Sequence, residues 1–166
     1  MSIKKNIMFN KNMQIAINLA MLKANNKDKK KSEIPVGCVI VDNNTEKILA
    51  KSYNKTKEKS NPTQHAEIIC INRALKKINK DRLNNCSMYV TLEPCGMCAG
   101  AIALAKIDKL YIGCLSKKTG AIISNERYFD SKICNHKPEV FYPIMEDECK
   151  QLITNFFKKF KNINLN

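Results

Sequence analysis

Two short motifs in the middle of the chain contain the residue types that bind zinc. The first is a His-x-Glu formed by His65 and Glu67, and the second is a Cys-x-x-Cys formed by Cys95 and Cys98. Zinc prefers imidazole nitrogen and thiolate sulfur in a tetrahedral arrangement, and a site with three protein ligands leaves the fourth position to water. We therefore predict one Zn²⁺ per subunit, with His65, Cys95 and Cys98 as ligands and a water molecule that the metal acidifies.

Glu67 is the acidic residue of the first motif, and the metal does not need it as a ligand. A carboxylate beside an acidified water can accept a proton from it and return that proton to a leaving nitrogen atom. General acid and base catalysis of this kind contributes about 10²–10⁴-fold to a rate. The two motifs together indicate a hydrolytic zinc site in which Glu67 is the catalytic residue.

The spacing within each motif indicates the elements that must position it. Cys95 and Cys98 are three residues apart, which places both sulfur atoms on one face of a helix, and Pro94 is typical of a helix start. His65 and Glu67 are two residues apart, so a regular helix would point their side chains about 200° away from each other. They can converge only if the metal lies beyond the N-terminal end of the helix. We therefore expect zinc at the N-termini of two helices.

Hydrophobic patterning places these helices in an alternation of strands and helices. The predicted strands comprise residues 35–41, 47–53, 88–92, 109–114 and 140–145. The predicted helices comprise residues 13–23, 65–77, 99–105 and 146–161, and a lysine-rich turn is predicted over residues 25–32. This order favours the α/β class, with a mixed sheet that has helices on both faces.

Length and charge limit the class of protein and of partner. The 166 residues are the length of one domain, and we expect a single domain over residues 1–166. Lysine and arginine number 29 against 15 acidic residues, which gives a net charge of +14. This charge indicates an anionic partner, and nucleic acid is favoured over a membrane because no strongly apolar face accompanies the lysines. No export signal and no membrane-spanning segment are predicted.

The cysteine content allows a second interpretation of the zinc motif. The chain has eight cysteines, and in a cytoplasmic protein, which we expect here, those outside a metal site pack as small apolar residues rather than form disulfides. However, Cys134 and His136 could supply third and fourth ligands to the Cys-x-x-Cys and close a structural site to water. A redox pair is a weaker alternative. The His-x-Glu motif favours the open, catalytic site.

The paired motifs resemble those of the zinc-dependent nucleoside and nucleobase deaminases, and the flanking residues resemble the tRNA adenosine deaminase branch of that superfamily. The resemblance extends from about Glu33 to Phe157, nearly the whole chain. The segments that carry it are Glu33-Ile34-Pro35-Val36-Gly37, Asn61-Pro62-Thr63, Thr91-Leu92-Glu93-Pro94-Cys95-Gly96-Met97-Cys98-Ala99-Gly100-Ala101, Lys118-Thr119-Gly120-Ala121 and Phe156-Phe157.

The resemblance implies a fold and a reaction. The fold is a three-layer α/β/α sandwich around a central mixed five-stranded sheet, usually in a homodimer with each active site near the subunit interface. The reaction converts adenosine to inosine at the wobble position of a tRNA anticodon: zinc-bound hydroxide attacks C6, Glu67 moves the protons, and ammonia leaves. An anticodon loop suits this site because single-stranded bases can enter a pocket.

The resemblance also implies the substrate contacts. Asn54 matches a residue whose amide contacts the base, Ile34 and Val36 match walls of the pocket, and Phe157 matches a residue of the last helix that faces the substrate. From local sequence, Asn54 could equally end a strand and Phe157 could belong to the core. Ser116 departs from the family pattern, which has an aspartate there, and lysines stand where relatives have arginines. These departures put the strength of the RNA contact in doubt.

Three functional hypotheses remain open. The first is a tRNA adenosine deaminase. The second is a deaminase of a free nucleobase or nucleoside, of the guanine or cytosine type, on the same zinc site. The third is a non-enzymatic RNA-binding module that zinc stabilises. Steep salt dependence of binding separates the first from the second, and the effect of replacing Glu67 separates both enzymes from the third.

Overall fold

The computed structural model describes residues 3–24 and 32–161. After α1, two strands follow each other directly, and helices and strands then largely alternate, as the hydrophobic patterning predicts. In chain order the elements are α1 (Ile3–Ala24), β1 (Gly37–Asp42), β2 (Ile48–Tyr53), α2 (Ala66–Ile78), β3 (Cys86–Leu92), α3 (Gly96–Leu104), β4 (Lys109–Cys114), a 3₁₀ turn (Tyr128–Asp130), β5 (Glu139–Phe141) and α4 (Glu146–Lys161).

The strands form one mixed sheet in the order β2-β1-β3-β4-β5. The strand β1 pairs antiparallel with β2 and β3, whereas β3, β4 and β5 run parallel to one another. Nearly every residue of β3 and β4 is buried, as is typical of parallel strands that are covered on both faces. The predicted mixed sheet of five strands is confirmed.

Helices cover both faces of this sheet. The helices α2 and α3 pack on the face that presents Ile40 and Met88, whereas α1 and α4 pack on the face that presents Val39 and Tyr89. Because side chains alternate between the two faces of a strand, adjacent residues of β1 and β3 belong to different cores. The predicted three-layer α/β/α sandwich is confirmed.

The helix α1 begins earlier than predicted. The prediction covered residues 13–23, and the structure has Ile3–Ala24. Asn12 is buried and hydrogen-bonds a tyrosine of β3, and the Phe9 ring packs on Tyr111 with ring centroids 4.7 Å apart. These contacts with the sheet favour a longer helix than the sequence pattern indicates.

The C-terminal elements agree better with prediction. The strand β5 is shorter than the predicted 140–145, because it ends at Phe141 and Pro143 has no N–H group to continue the ladder. The helix α4 has the predicted bounds, with three acidic residues in its first turn, where the helix dipole favours them. The lysine-rich turn predicted over 25–32 lies, apart from Ser32, outside the described residues.

The cysteines outside the zinc motifs are free thiols. Five are buried and one is half-buried: Cys38, Cys70, Cys86, Cys114 and Cys149, and then Cys134. They pack as small apolar side chains, as predicted. No helix within residues 3–24 and 32–161 is both long enough and apolar enough to cross a membrane.

Candidate metal centre and active site

The predicted zinc ligands lie where α2 and α3 begin. His65 directly precedes α2 with an extended backbone (φ −72°, ψ 152°), and Cys95 precedes α3 in a similar conformation (φ −76°, ψ 174°). Glu67 and Cys98 lie in the first turns of the two helices. The N-terminal ends of α2 and α3 therefore meet at one place, as the spacing of the motifs requires.

His65, Cys95 and Cys98 come together in one cluster. His65 Nδ1 lies 3.7 Å from Cys95 Sγ and 3.5 Å from Cys98 Sγ, and the three potential ligand atoms all lie within 4.8 Å of one another. Tetrahedral zinc with ordinary Zn–S and Zn–N bonds separates its ligand atoms by about 3.6–3.8 Å. The cluster therefore fits one Zn²⁺, the cofactor expected from the sequence.

The two thiols of the cluster differ in acidity. The hydrogen bond between the sulfur atoms lowers the pKa of Cys95 to about 4 and raises the pKa of Cys98 above its ordinary value. The hydrogen bond to Cys95 raises the pKa of His65. Cys95 is therefore a thiolate at neutral pH, the form that binds a metal.

Glu67 is buried next to this cluster. Its side chain is 3% exposed, and burial raises its pKa. Its Oε2 atom has no hydrogen-bond partner among the residues that the structure describes. A buried oxygen atom without a partner is unfavourable unless something else satisfies it. The atom thus fits a site that holds an ion, a water or a substrate.

The alternative ligands of a closed structural site are engaged elsewhere. Cys134 Sγ donates to the backbone oxygen of His136 at 3.0 Å, and His136 Nε2 lies 2.7 Å from the backbone oxygen of Ile107. Among the described residues, the cluster of His, Cys, Asp and Glu side chains suited to a metal contains neither of them. The geometry favours three protein ligands over four.

A cavity of about 310 Å³ opens onto the cluster. Three of the four predicted substrate contacts line it: Ile34, Val36 and Asn54. The fourth, Phe157, is 49% exposed on α4, lies outside the cavity lining and contacts Phe156 edge to face. Its substrate contact stays a prediction.

Asn54 also has a structural task. Its Oδ1 atom accepts a hydrogen bond, 2.8 Å long, from the N–H of Ala66, which is the first residue of α2. Its Nδ2 group donates to the backbone oxygen of Ile34 at 3.2 Å. An amide side chain offers two donor and two acceptor positions. Asn54 therefore holds the start of α2 and can still offer one donor and one acceptor to a base.

Two buried carboxylates hold the loops around the cavity, and the sequence interpretation missed both roles. Glu93 accepts the N–H groups of Ser116, Ile122, Ile123 and Ser124 and the Ser124 hydroxyl. Burial alone would raise the pKa of Glu93, but these hydrogen bonds lower it overall. Glu33 holds the segment around Lys57 in the same way. The partners of both carboxylates are mainly backbone N–H groups, so no side-chain pattern in the sequence signals these roles.

Ser116, the departure from the family pattern, faces this network. Its N–H donates to Glu93 Oε2 at 3.0 Å, and its hydroxyl lies 3.0 Å from the hydroxyl of Thr119, a residue of the cavity lining. The Cβ of an alanine at Gly120 would lie 2.1 Å from Glu93 Oε2, so the loop approaches the carboxylate too closely for any side chain there. The neutral Ser116 is therefore part of a tightly packed wall.

Comparison with known proteins agrees with this geometry. Residues 10–114 match the family model described as the cytidine and deoxycytidylate deaminase zinc-binding region. The tRNA-specific adenosine deaminase of Rickettsia bellii is 48% identical over 132 residues, which cover 80% of this chain and 91% of that protein. The corresponding protein of Haemophilus influenzae is 45% identical over 127 residues, 76% of this chain and 73% of that protein.

One solved structure supports the same branch, and a second shares the fold. A structure from a study of A-to-I editing by tRNA:A34 deaminases superposes with a TM-score of 0.74 and 37% identity, over 84% of this chain and 99% of that one. A guanine deaminase from Nitrosomonas europaea shares the fold, with a TM-score of 0.71 at 18% identity over 89% of this chain and 83% of that one. The chain therefore belongs to the zinc-dependent cytidine and deoxycytidylate deaminase family and, within it, to the branch of the tRNA-specific adenosine deaminases.

Proposed function

We propose that this protein converts adenosine to inosine at the wobble position of a tRNA anticodon by hydrolytic deamination. The observation that carries the proposal is the cluster of His65, Cys95 and Cys98 beside the buried Glu67, at the base of a cavity. The relatives at 48% and 45% identity support the adenosine substrate and the tRNA context.

Glu67 moves the protons in this mechanism. When bound by His65, Cys95 and Cys98, zinc supplies a Lewis acid that makes water nucleophilic at neutral pH. Oε2 of Glu67, unsatisfied within the described residues, accepts one proton from the attacking water and passes it to a ring nitrogen. Glu67 then takes the remaining proton of the hydroxyl added to C6 and gives it to the amine, so that the C–N bond breaks as the C=O bond forms. Adenosine and water thus give inosine and ammonia, and burial keeps bulk water from competing for the carboxylate.

The cavity and the charge support a single-stranded RNA substrate. A cavity of about 310 Å³ accommodates one base, and a base reaches such depth only if it leaves the stack. The net charge of +14 attracts the phosphate backbone of tRNA. We further propose that the enzyme acts in the cytoplasm, which a tRNA substrate supports, and that residues 1–166 form one domain.

We also propose that the enzyme is a homodimer. Met97 and Leu104 lie seven residues apart on α3, which places them on one face, and both are exposed, Leu104 by 62%. Apolar side chains exposed together on the helix that bears Cys98 would suit a second copy of the chain near the active site. Light scattering after gel filtration should give twice the chain mass, and the double substitution M97E/L104E should give a monomer.

One experiment tests the proposed reaction most directly. The purified enzyme is incubated with total tRNA from its own organism, and inosine is mapped by sequencing of the treated tRNA. We expect conversion of a wobble adenosine, with free adenosine, guanine and cytosine unchanged under the same conditions. Deamination of a free base without conversion of tRNA would instead favour the alternative of a small-molecule deaminase.

A further inference from the structure

An open depression of about 600 Å³ adjoins the catalytic cavity. Thr56 and Pro62 line both, so the two spaces are neighbours on the surface. The rest of the depression is lined by Lys57, Ser60 and Asn61. A strand of RNA that places one base in the cavity can therefore place its next nucleotide in the depression.

Glu33 holds the loop that forms this depression, residues 55–61. Glu33 is 2% exposed, and its Oε1 atom accepts the N–H groups of Lys57 at 2.7 Å and Glu58 at 2.8 Å. Its Oε2 atom accepts the hydroxyl of Thr56 at 2.9 Å. Hydrogen bonds to a carboxylate are stronger than those between neutral groups, so Glu33 fixes the inner side of the loop.

Further backbone hydrogen bonds form within this loop. The Lys59 N–H donates to the Lys55 oxygen and the Asn61 N–H to the Thr56 oxygen, each at 2.9 Å. Ser60 has φ 48°, a left-handed conformation that a residue other than glycine keeps only when its surroundings determine it. The loop is therefore preorganised, which lowers the entropic cost of binding.

The outer side of the loop presents groups that suit a nucleotide backbone. Lys57 is exposed and carries a positive charge, and the Ser60 hydroxyl is exposed beside it. The Asn61 amide is oriented because its Oδ1 atom accepts from Thr63, through the N–H at 2.9 Å and the hydroxyl at 2.8 Å. Ammonium, hydroxyl and amide groups are those that contact phosphate and sugar.

We infer that this depression binds the phosphate and ribose of the nucleotide next to the target adenosine. Glu33 acts as a positioning residue, because it touches no substrate and holds Thr56 and Lys57 where they contact it. This inference rests on the proposed function, since it assumes a single-stranded RNA in the catalytic cavity.

A double-substitution cycle between enzyme and RNA tests the contact. The protein carries Glu67→Gln, so that binding is measured without turnover, and the probe is a fluorescent anticodon stem-loop with adenosine at the wobble position. Methylphosphonate replaces, in turn, each linkage that joins this nucleotide to its neighbours. We expect Lys57→Ala alone to weaken binding about five- to tenfold, and methylphosphonate at one of the two linkages alone to do the same. Lys57→Ala combined with methylphosphonate at that linkage should weaken binding no further than either change alone.

Lys76→Ala is the matched control for this cycle. Lys76 is exposed in the last turn of α2, away from the loop, so its removal takes away one positive charge without touching the depression. It should weaken binding by less than about twofold, and its effect should add to that of either linkage. The inference would be overturned if the effect of Lys57→Ala added to the effect of methylphosphonate at each of the two linkages.

Two substitutions of Glu33 test its positioning role in the active enzyme. Glu33→Ala removes all three acceptor contacts, and we expect KM for the stem-loop to rise about tenfold with kcat and zinc content unchanged. Glu33→Gln keeps an oxygen for both backbone N–H groups, and the Thr56 hydroxyl can turn to accept, so KM should stay within about threefold of the wild-type value. A loss of kcat or of zinc with unchanged KM would overturn the positioning role.

The outcomes separate this inference from the proposed function. Normal stem-loop binding without inosine formation by the wild type would contradict the proposed reaction. The binding cycle would still show whether the depression contacts the RNA backbone. Inosine formation together with additive binding effects would contradict only the proposed contact between the depression and the RNA backbone. Absence of any stem-loop binding would overturn both.

Discussion

The Glu67 side chain occupies a position that packing alone would disfavour. It is buried, and its Oε2 atom lacks a hydrogen-bond partner among the described residues. With nothing bound beside it, such a group would cost about 1–3 kcal/mol. Active sites commonly contain groups that lower stability and serve the reaction. The position of Glu67 is explained by proton transfer better than by packing.

Replacing Glu67 by glutamine should abolish turnover and spare the metal. Glutamine keeps the size of the side chain but cannot carry the proton, so we expect inosine formation to fall by about 10²–10⁴-fold. The zinc content should stay at one per chain, as measured by metal analysis of the purified protein. Glu139→Gln, which removes an exposed carboxylate of β5, should keep wild-type turnover. Normal turnover of Glu67→Gln would favour an RNA-binding module without enzymatic activity.

Replacing Cys98 by alanine should remove the metal. Cys98 is one of three ligands and is fully buried, so its loss leaves too few donors, and we expect less than about a tenth of the wild-type zinc after purification. The matched control is Cys134→Ala, which removes a half-buried thiol outside the cluster and should keep both zinc and activity. Zinc loss from Cys134→Ala would instead indicate the closed structural site.

The residues with chemical roles were easier to predict than the residues that support them. His65, Cys95 and Cys98 cluster as predicted because ligand types and spacing are visible in sequence. The roles of Glu33 and Glu93 were missed, since both bind mainly backbone N–H groups of distant loops. Every residue except proline offers such a group, so no side-chain pattern reveals these contacts.

At the scale of elements, the loop of residues 116–124 packs closely on Glu93 and is held by it. An alanine Cβ at position 120 would lie 2.1 Å from Glu93 Oε2 and 2.6 Å from the Ser116 oxygen. The loop must therefore move if Gly120 is replaced, and its hydrogen bonds to Glu93 must stretch. This loop contributes Thr119 to the cavity, so the change reaches the substrate.

Gly120→Ala should destabilise the protein. We expect the free energy of unfolding to fall by about 1–3 kcal/mol, the range for overpacking, in urea denaturation at saturating zinc. Gly96→Ala is the matched control, because a Cβ there meets nothing within 4 Å, and it should leave the stability unchanged. Equal stabilities of the two variants would contradict the close approach of the loop to Glu93.

Elements with strong periodicity were predicted well, and irregular ones were not. The bounds of β4 and α4 agree with prediction, because a largely apolar run marks β4 in the sequence, and acidic residues at its start with basic residues at its end mark α4. The early start of α1 depends on the contact of Phe9 with Tyr111, two residues far apart in the chain. The 3₁₀ turn at Tyr128–Asp130 has no periodic pattern of its own and was not predicted.

At the scale of the whole molecule, the charge should govern RNA binding. The net charge of +14 implies that binding releases counterions from the RNA. We expect affinity for the anticodon stem-loop to fall by at least about tenfold between 50 and 200 mM salt, as measured by fluorescence anisotropy. A free nucleobase has no phosphate, so its binding should not change over this range. Salt-independent binding of the stem-loop would contradict an electrostatic role for the lysines.

His65 and Cys95 are 30 residues apart in the chain and directly precede two different helices, α2 and α3. An ion held by His65 and Cys95 therefore closes a loop and cross-links α2 to α3, much as a disulfide joins distant segments of a secreted protein. All eight cysteines lie in the described part of the chain, and none of them forms a disulfide. The thermal stability of the protein should accordingly depend on the zinc concentration. The thermal stability of a disulfide-linked protein depends instead on an oxidising environment.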